Sequence, residues 1–279
     1  MRRTRSGPSI REFLHYYVLV LLAEASRTQP QLIQEIRRRS QANRSYRPGG
    51  VLWVPTAEMD RVLAQLADQG LIKLASRGKW TITWHGRRAR RRLERHNQPE
   101  AGAKERAADK LLALLEQGTY SSYVLDVGTG QGYLAFKLAR AGFRVLGIDS
   151  GSLDYSKDSI AKAQEQARSE AAEVEFCQAD IRDFDRPDAS FDYIVSSQAI
   201  HCMQQQPECL KGIHRLLRAG GRFFCIDYMV GLKGFLAHGF HCFLAISREE
   251  WTEMLLERGF GNIRMYELDD FLLIEAQKL

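Results

Sequence analysis

The chain has 279 residues, of which 44% are hydrophobic and 27% charged, with a formal net charge of +6. That length suits two domains better than one, and the composition excludes a disordered or collagen-like chain. The charge is unevenly divided: residues 1–100 hold 20 Lys/Arg against 8 Asp/Glu, a balance of +12, while residues 101–279 hold 20 against 26, a balance of −6, so two units with different partners are expected.

Arg2, Arg3 and Arg5 lead into an apolar run from Phe13 to Ala23, and Ala23-Glu24-Ala25 imitates a signal-peptidase site. Arg11 and Glu12 abut the run and His15 interrupts it, and it is shorter than the roughly 20 residues of a membrane span. It reads instead as a core helix, Arg11 to Glu24. No membrane partner and a cytoplasmic location are expected. Cys177, Cys202, Cys209, Cys225 and Cys242 fit that setting: they are scattered, mostly within apolar runs, and form no Cys-x-x-Cys pair, which predicts buried thiols and no metal site. Even His238-x-x-His241-Cys242 lacks further partners.

Gln31 to Arg39 predicts a second helix, and Thr56 to Gln69 a third with Met59, Val62, Leu63 and Leu66 on one face. Pro30 and Pro55 stand where helices begin. After Gly70 come two short strands, Leu71 to Leu74 and Trp80 to Trp84, joined across Ala75-Ser76-Arg77-Gly78-Lys79. Three helices and a hairpin make a small winged-helix α+β domain, assigned to residues 1–96. Leu63-x-x-Leu66-x-x-x-Gly70-Leu71-Ile72 and Trp80-x-Ile82-Thr83-x-x-Gly86-Arg87 resemble winged-helix regulators of the PadR kind. Arg61, Arg77 and Lys79 lie where such a fold meets phosphates, yet the third helix also carries Glu58, Asp60 and Asp68. Most positive charge sits in Arg37 to Arg39 and in Arg87 to Arg92. A dimerisation or lid module is expected, with nucleic-acid binding as the alternative.

Asn97-Gln98-Pro99-Glu100 marks a linker over residues 97–103, and a helix from Lys104 to Glu116 opens the second domain, residues 104–279. Val124-Leu125-Asp126-Val127-Gly128-Thr129-Gly130-Gln131-Gly132-Tyr133 reads as a strand, a tight turn and, through Leu134 to Arg140, a helix. Phe143 to Ile148 is a buried parallel strand ending in Asp149, where open-sheet ligands bind and a carboxylate suits a ribose diol. Only Gln131 separates Gly130 from Gly132, so the dinucleotide fingerprint fails, and no Lys-Ser/Thr pair follows to make a phosphate loop. A turn for a nucleoside without phosphates remains.

This Gly-x-Gly-x-Gly turn resembles the first motif of the class I S-adenosylmethionine-dependent methyltransferases. Cys177-Gln178-Ala179-Asp180-Ile181 is similar to that family's third strand and adenine turn, Phe191 to Ser197 to its fourth strand, and Leu217 to Phe223 to the turn into its fifth, with Ala219 where proline is usual. Phe260 to Tyr266 and Asp270 to Ala276 resemble its closing antiparallel pair. The resemblance implies a Rossmann-like α/β sheet of seven strands, mostly parallel with the last antiparallel, and S-adenosylmethionine as cofactor. It implies that Gly128, Gly130 and Gly132 line the methionine part, that Asp126 helps hold its ammonium, and that Asp149 accepts from the ribose. Ser150 and Ile181 would border the adenine, Asp180 would accept from its amine, and Ser197 would offer a carbonyl near the methionine amine.

The acceptor is less visible. Ser197-Gln198-Ala199-Ile200-His201 lacks the prolines of nucleic-acid base methyltransferases, and Asp227 alone makes no metal-binding carboxylate cluster. His201 and Tyr228 are the expected catalytic groups, at the ends of the fourth and fifth strands. Between Tyr228 and Ser247 lies a segment rich in Phe235, His238, Phe240, His241 and Phe243, either an aromatic lid or a packing surface. The leading expectation is a homodimeric methyltransferase for a small hydrophobic or aromatic acceptor. The alternatives are a DNA-binding transcriptional regulator that senses S-adenosylmethionine or a related metabolite, and an RNA-modifying methyltransferase.

Overall fold

The computed structural model describes residues 8–41, 54–96, 102–115, 122–152, 158–170, 172–203, 205–230 and 245–279. They form two compact units, one drawn from residues 8–96 and the other from residues 102–229 and 245–279. The aromatic segment with Phe235, His238, Phe240, His241, Cys242 and Phe243 lies outside the described residues, as do linker positions 97–101.

In the front unit α1 (Pro8–Glu24) is apolar on nearly every side and is the core helix expected: Phe13, Leu14, Tyr16, Tyr17, Val18, Leu19, Leu21 and Leu22 are all buried. α2 (Gln29–Gln41) adds Leu32, Ile33 and Ile36. α3 (Thr56–Asp68) starts after Pro55 and buries Met59, Val62, Leu63 and Leu66 at the i, i+3, i+4, i+7 spacing. It stops at Gly70, whose φ of 68° lets its amide reach the Ala67 carbonyl and the Leu71 amide the Leu66 carbonyl, a Schellman end. β1 (Ile72–Leu74) and β2 (Trp80–Ile82) pair antiparallel around a turn with Arg77 and Gly78 both left-handed. Arg27, between α1 and α2, adds an antiparallel bridge to Trp80 on the free side of β2. α4 (Trp84–His96) follows, and Gly86 is required there because a Cβ would meet the Leu71 carbonyl oxygen at 2.1 Å.

The second unit is a seven-stranded sheet. α5 (Ala103–Leu115) precedes β3 (Tyr123–Val127), α6 (Tyr133–Arg140), β4 (Arg144–Asp149), α7 (Ser159–Glu170), β5 (Val174–Gln178) and β6 (Phe191–Ser197). α8 (Gln206–Leu216), β7 (Leu217–Tyr228), α9 (Arg248–Leu256), β8 (Phe260–Leu268) and β9 (Phe271–Lys278) complete it. The strand order is β5-β4-β3-β6-β7-β9-β8, parallel from β5 to β7, with β9 running against both its neighbours. One face is covered by α8 and α9 through Leu210, Ile213, Leu216, Trp251 and Leu255, the other by α5, α6 and α7 through Leu111, Leu134, Phe136 and Ile160. Three layers result, with the mainly parallel strands buried on both faces.

The elements differ in detail from their sequence signals. Leu217 to Arg222 belongs to β7 as a bulge: Phe191 pairs Leu217 and Tyr193 pairs Arg222, so five steps on β7 face two on β6, and Gly220 at φ 73° absorbs the excess. Of the described cysteines Cys202, Cys209 and Cys225 are buried, whereas Cys177 is exposed, because β5 is an edge strand that buries only Phe176. Among the described residues no helix is long and apolar enough to cross a membrane.

Candidate active site

The sheet order reverses between β3 and β6, and ligands of open α/β sheets bind beyond the carboxyl ends of strands at such a switch point. The glycine turn after β3 stands there. Gly128 and Thr129 both donate their amides to the Ile148 carbonyl, and Gly132 donates to Thr129, which tightens the bend before α6. All three glycines have positive φ, 71°, 55° and 86° in order. Their surroundings separate their roles. A Cβ on Gly128 would meet Ala199 at 2.3 Å and one on Gly132 would meet the Phe176 ring at 2.6 Å, so these two are glycines for packing. Beside Gly130 nothing lies within 4 Å of that position. The bend therefore presents open space at its middle glycine.

Asp149, at the end of β4, closes this space from the side. Its Oδ2 accepts from the Gly130 amide at 3.1 Å and its Oδ1 from the Gly151 amide at 2.9 Å, which leaves lone pairs on both oxygens for hydroxyl donors. Asp126, in β3, is 1% exposed; its Oδ2 accepts from the Thr129 hydroxyl at 2.7 Å and its Oδ1 has no partner. Burial pushes this carboxyl up to about 7, against the pull of the Thr129 hydroxyl, the Ala135 amide and the Lys104 ammonium. An orphaned carboxylate oxygen beside an open glycine cradle fits an ammonium-bearing nucleoside. Lys104 is exposed as a residue, yet its ammonium sits 4.2 Å from the centre of the Tyr133 ring and burial lowers its pKa, opposed by Asp126 and Glu105. Sequence spacing gave no sign of Lys104, since α5 comes before the glycine motif.

Ser150 is bonded locally, its hydroxyl to Ser152 and its carbonyl to the Gln178 amide. Asp180 is clasped by Arg182: Oδ1 accepts from the Arg182 amide at 3.0 Å and Nε at 2.9 Å, and Oδ2 from Nη2 at 2.6 Å. Those hydrogen bonds hold its carboxyl below the usual range despite burial. Ile181 is 3% exposed and packs in the core, and its carbonyl lies where a Cβ on Gly212 would be, at 2.3 Å. Asp180 thus caps its own turn, with Ile181 beneath it. Ser197 ends β6, half-buried and paired with Ile226.

His201 and Tyr228 do come together, with Asp227 and Gln198, to which the sequence assigns no part beside them. The rings are 5.0 Å apart between centroids, and His201 Nδ1 lies 2.6 Å from Asp227 Oδ1. That contact falls off the line of the ring N–H, leaving Nδ1 without a formal hydrogen bond, so the pair is held by charge. Burial opposes the charged imidazole most strongly, but the Asp227 carboxylate and a hydrogen bond that the ring donates to Cys202 outweigh it and push the ring up to about 10. The Tyr228 hydroxyl donates to Gln198 Oε1 at 2.9 Å, and Gln198 is held at φ 57° with its Nε2 buried and unpartnered. The signal for Asp227 lay in the register. Ser197 pairs Ile226, so Asp227, the next residue of β7, stands level with the loop that follows β6.

Residues 120–259 match the family model described as a methyltransferase domain. The chain belongs to that family. A probable S-adenosylmethionine-dependent methyltransferase of Mycobacterium tuberculosis is 28% identical over 147 residues, covering 51% of this chain and 50% of its own. A ubiquinone/menaquinone biosynthesis C-methyltransferase of Rickettsia massiliae is 29% identical over 119 residues, 42% of this chain and 48% of its own. The chain spans about half the length of the curated relatives it matches. The methyltransferase fold itself is shared with geranyl diphosphate C-methyltransferase from Streptomyces coelicolor, at a TM-score of 0.52 and 17% identity, over 62% of this chain and 78% of that one.

Proposed function

We propose that this chain is an S-adenosylmethionine-dependent methyltransferase for a small, hydrophobic or aromatic acceptor. The observation that carries the reading is the cradle itself: Gly130 open, Asp149 braced across its amide, and a buried Asp126 oxygen without a partner. The cofactor supplies an activated methyl on a cationic sulfur, so the protein's part is alignment and exclusion of water. Asp149 takes the ribose hydroxyls and Asp126 the ammonium, with Gly128, Gly130 and Gly132 shaping the bend and the Ser197 carbonyl near the amine. Ser150 and the backbone of Ile181 border the adenine. Asp180 has little capacity left for the adenine amine while Arg182 holds it. His201, charged and fixed by Asp227, orients rather than abstracts, and Tyr228 with Gln198 offers the polar edge that meets the acceptor. A small carbon nucleophile is favoured by the relative named a C-methyltransferase. The aromatic residues between Tyr228 and Ser247 point the same way from sequence.

We assign the front unit as a winged helix that serves as a dimerisation or lid module, in a cytoplasmic homodimer. The Arg27–Trp80 bridge supports the winged-helix assignment, since it lays one residue between the first two helices against the outer side of β2. Calorimetry with S-adenosylhomocysteine tests the core of the proposal: binding by the intact protein, weakened at least about tenfold in Asp149→Ala, is expected, and no heat of binding to the intact protein removes it. Transfer of labelled methyl to a metabolite extract then identifies the acceptor class.

A further inference from the structure

The last helix of the front unit carries a face that methyl transfer leaves unused. The inner side of α4 serves the unit's own core: Gly86 lies against the Leu71 carbonyl, Leu93 packs on the core cluster, and Glu94 accepts from the Tyr16 hydroxyl at 3.0 Å and pairs with Arg90. The outer side is different. Trp84, Arg88, Arg91, Arg92 and Arg95 fall at i, i+4, i+7, i+8 and i+11, a single helical stripe, and all five are exposed.

None of these four arginines meets a carboxylate among the described residues, whereas Arg27, Arg38, Arg39, Arg61 and Arg90 of the same unit all do. Trp84 is 65% exposed, and the Arg88 guanidinium lies 5.5 Å from its ring centre. Every cation of the stripe is arginine, whose planar fork binds phosphate bidentately and stacks on flat rings. Arg88 to Arg95 rises about 10 Å along the helix, the reach of several successive phosphates rather than one. A lipid surface would require an apolar face, and beyond Trp84 the stripe has none.

We propose that the outer face of α4 binds single-stranded nucleic acid, with phosphates along Arg88, Arg91, Arg92 and Arg95 and a base stacked on Trp84. The indole selects the single strand, because only unpaired bases expose their faces to an aromatic side chain. A duplex would offer the arginines phosphates and leave Trp84 idle.

Fluorescence anisotropy of the full chain with labelled oligothymidine and oligouridine, each roughly twelve nucleotides long, tests this. Binding should weaken as salt rises, with a log–log slope of about −3 if four phosphates are neutralised. The combined substitution Arg88→Ala, Arg91→Ala, Arg95→Ala should lower affinity at least about tenfold and flatten the slope, and Trp84→Ala should lower it about tenfold with the slope kept. Unchanged thermal melting and unchanged S-adenosylhomocysteine binding would show that both variants remain folded. The proposal is overturned if the intact protein binds neither oligonucleotide at about 50 mM salt, or if the arginine variant binds as well as wild type. It is equally overturned if Trp84→Ala has no effect while polyphosphate or duplex DNA competes as well as the single strand, which would mark a general polyanion patch.

Discussion

His201 Nδ1 and Asp227 Oδ1 lie 2.6 Å apart, joining the loop after β6 to the end of β7 through two side chains that are 1% and 0% exposed. Removing one partner leaves the other charge buried, so His201→Ala should destabilise the fold by about 3–5 kcal/mol, and the double change with Asp227→Ala by less than the two single losses together. The pH dependence has a definite sign. Because the folded pKa is raised from 6.5 to about 10, the pair contributes fully below about 6.5 and loses that contribution as pH rises through about 10. Urea unfolding of wild type and His201→Ala at a series of pH values checks this. Parallel stability curves would show that the contact is not ionic.

Asp126 titrates in the opposite functional sense. Its folded pKa of about 7 lies above the ordinary 3.8, so the fold favours the protonated acid, and this contribution to stability is lost as pH rises from about 4 through about 7. A bound ammonium needs the ionised form. The competent fraction grows about tenfold between one unit below and one unit above that pKa, and affinity for S-adenosylhomocysteine should improve by about as much. Calorimetry across that interval should also register proton release on binding at the lower end. Asp126→Asn should bind weakly with no pH dependence; a variant that keeps the wild-type profile would place the titrating group elsewhere.

The sheet was legible because a buried parallel strand leaves a strong mark in sequence. Phe191–Ser197 matches its predicted bounds, and the glycine turn fixed where β3 ends and α6 begins. What each glycine does was not legible. The motif treats Gly128, Gly130 and Gly132 alike, and only Ala199 and Phe176, distant in the chain, show that two of them are packing positions. The family resemblance gives Asp180 and Ile181 an adenine role, yet Arg182, two residues on from Asp180, determines what Asp180 bonds. Asp227, adjacent to Tyr228, carries in sequence only the signal of a lone candidate metal ligand. Its pairing with His201 depends on strand register, which no single segment encodes.

Asp149 and Asp180 should separate in binding assays. Asp149 keeps lone pairs free after accepting from Gly130 and Gly151, whereas Asp180 is saturated on one oxygen and shared on the other by Arg182. Charged hydrogen bonds are worth about 1.5–3 kcal/mol each, so Asp149→Ala should weaken S-adenosylhomocysteine binding by at least about tenfold. Asp180→Ala should weaken it by only a few-fold, through loosening of its turn. Equal losses in the two variants would mean that Asp180 leaves Arg182 when the nucleoside enters.

Gly130 and Gly132 are two residues apart, and the same substitution should affect stability at one and binding at the other. Alanine at Gly132 would keep φ near 86° and place its Cβ 2.6 Å from Phe176 and 2.9 Å from Phe136. Phe176 cannot retreat, because Gly147 already lets its ring approach to 2.7 Å of where a Cβ would stand on β4. Backbone strain of about 1–3 kcal/mol and overpacking of about 1–3 kcal/mol then act together, and Gly132→Ala should show a large drop in urea midpoint. Gly130→Ala meets no neighbour and carries only the left-handed penalty, about 1–2 kcal/mol. Its methyl group would occupy the open ground beside Asp149, however, and S-adenosylhomocysteine affinity should fall by at least about tenfold in a protein that still unfolds cooperatively. Wild-type binding by Gly130→Ala would mean that the nucleoside lies on another side of the bend, and Asp149 would then brace the loop without touching a ligand.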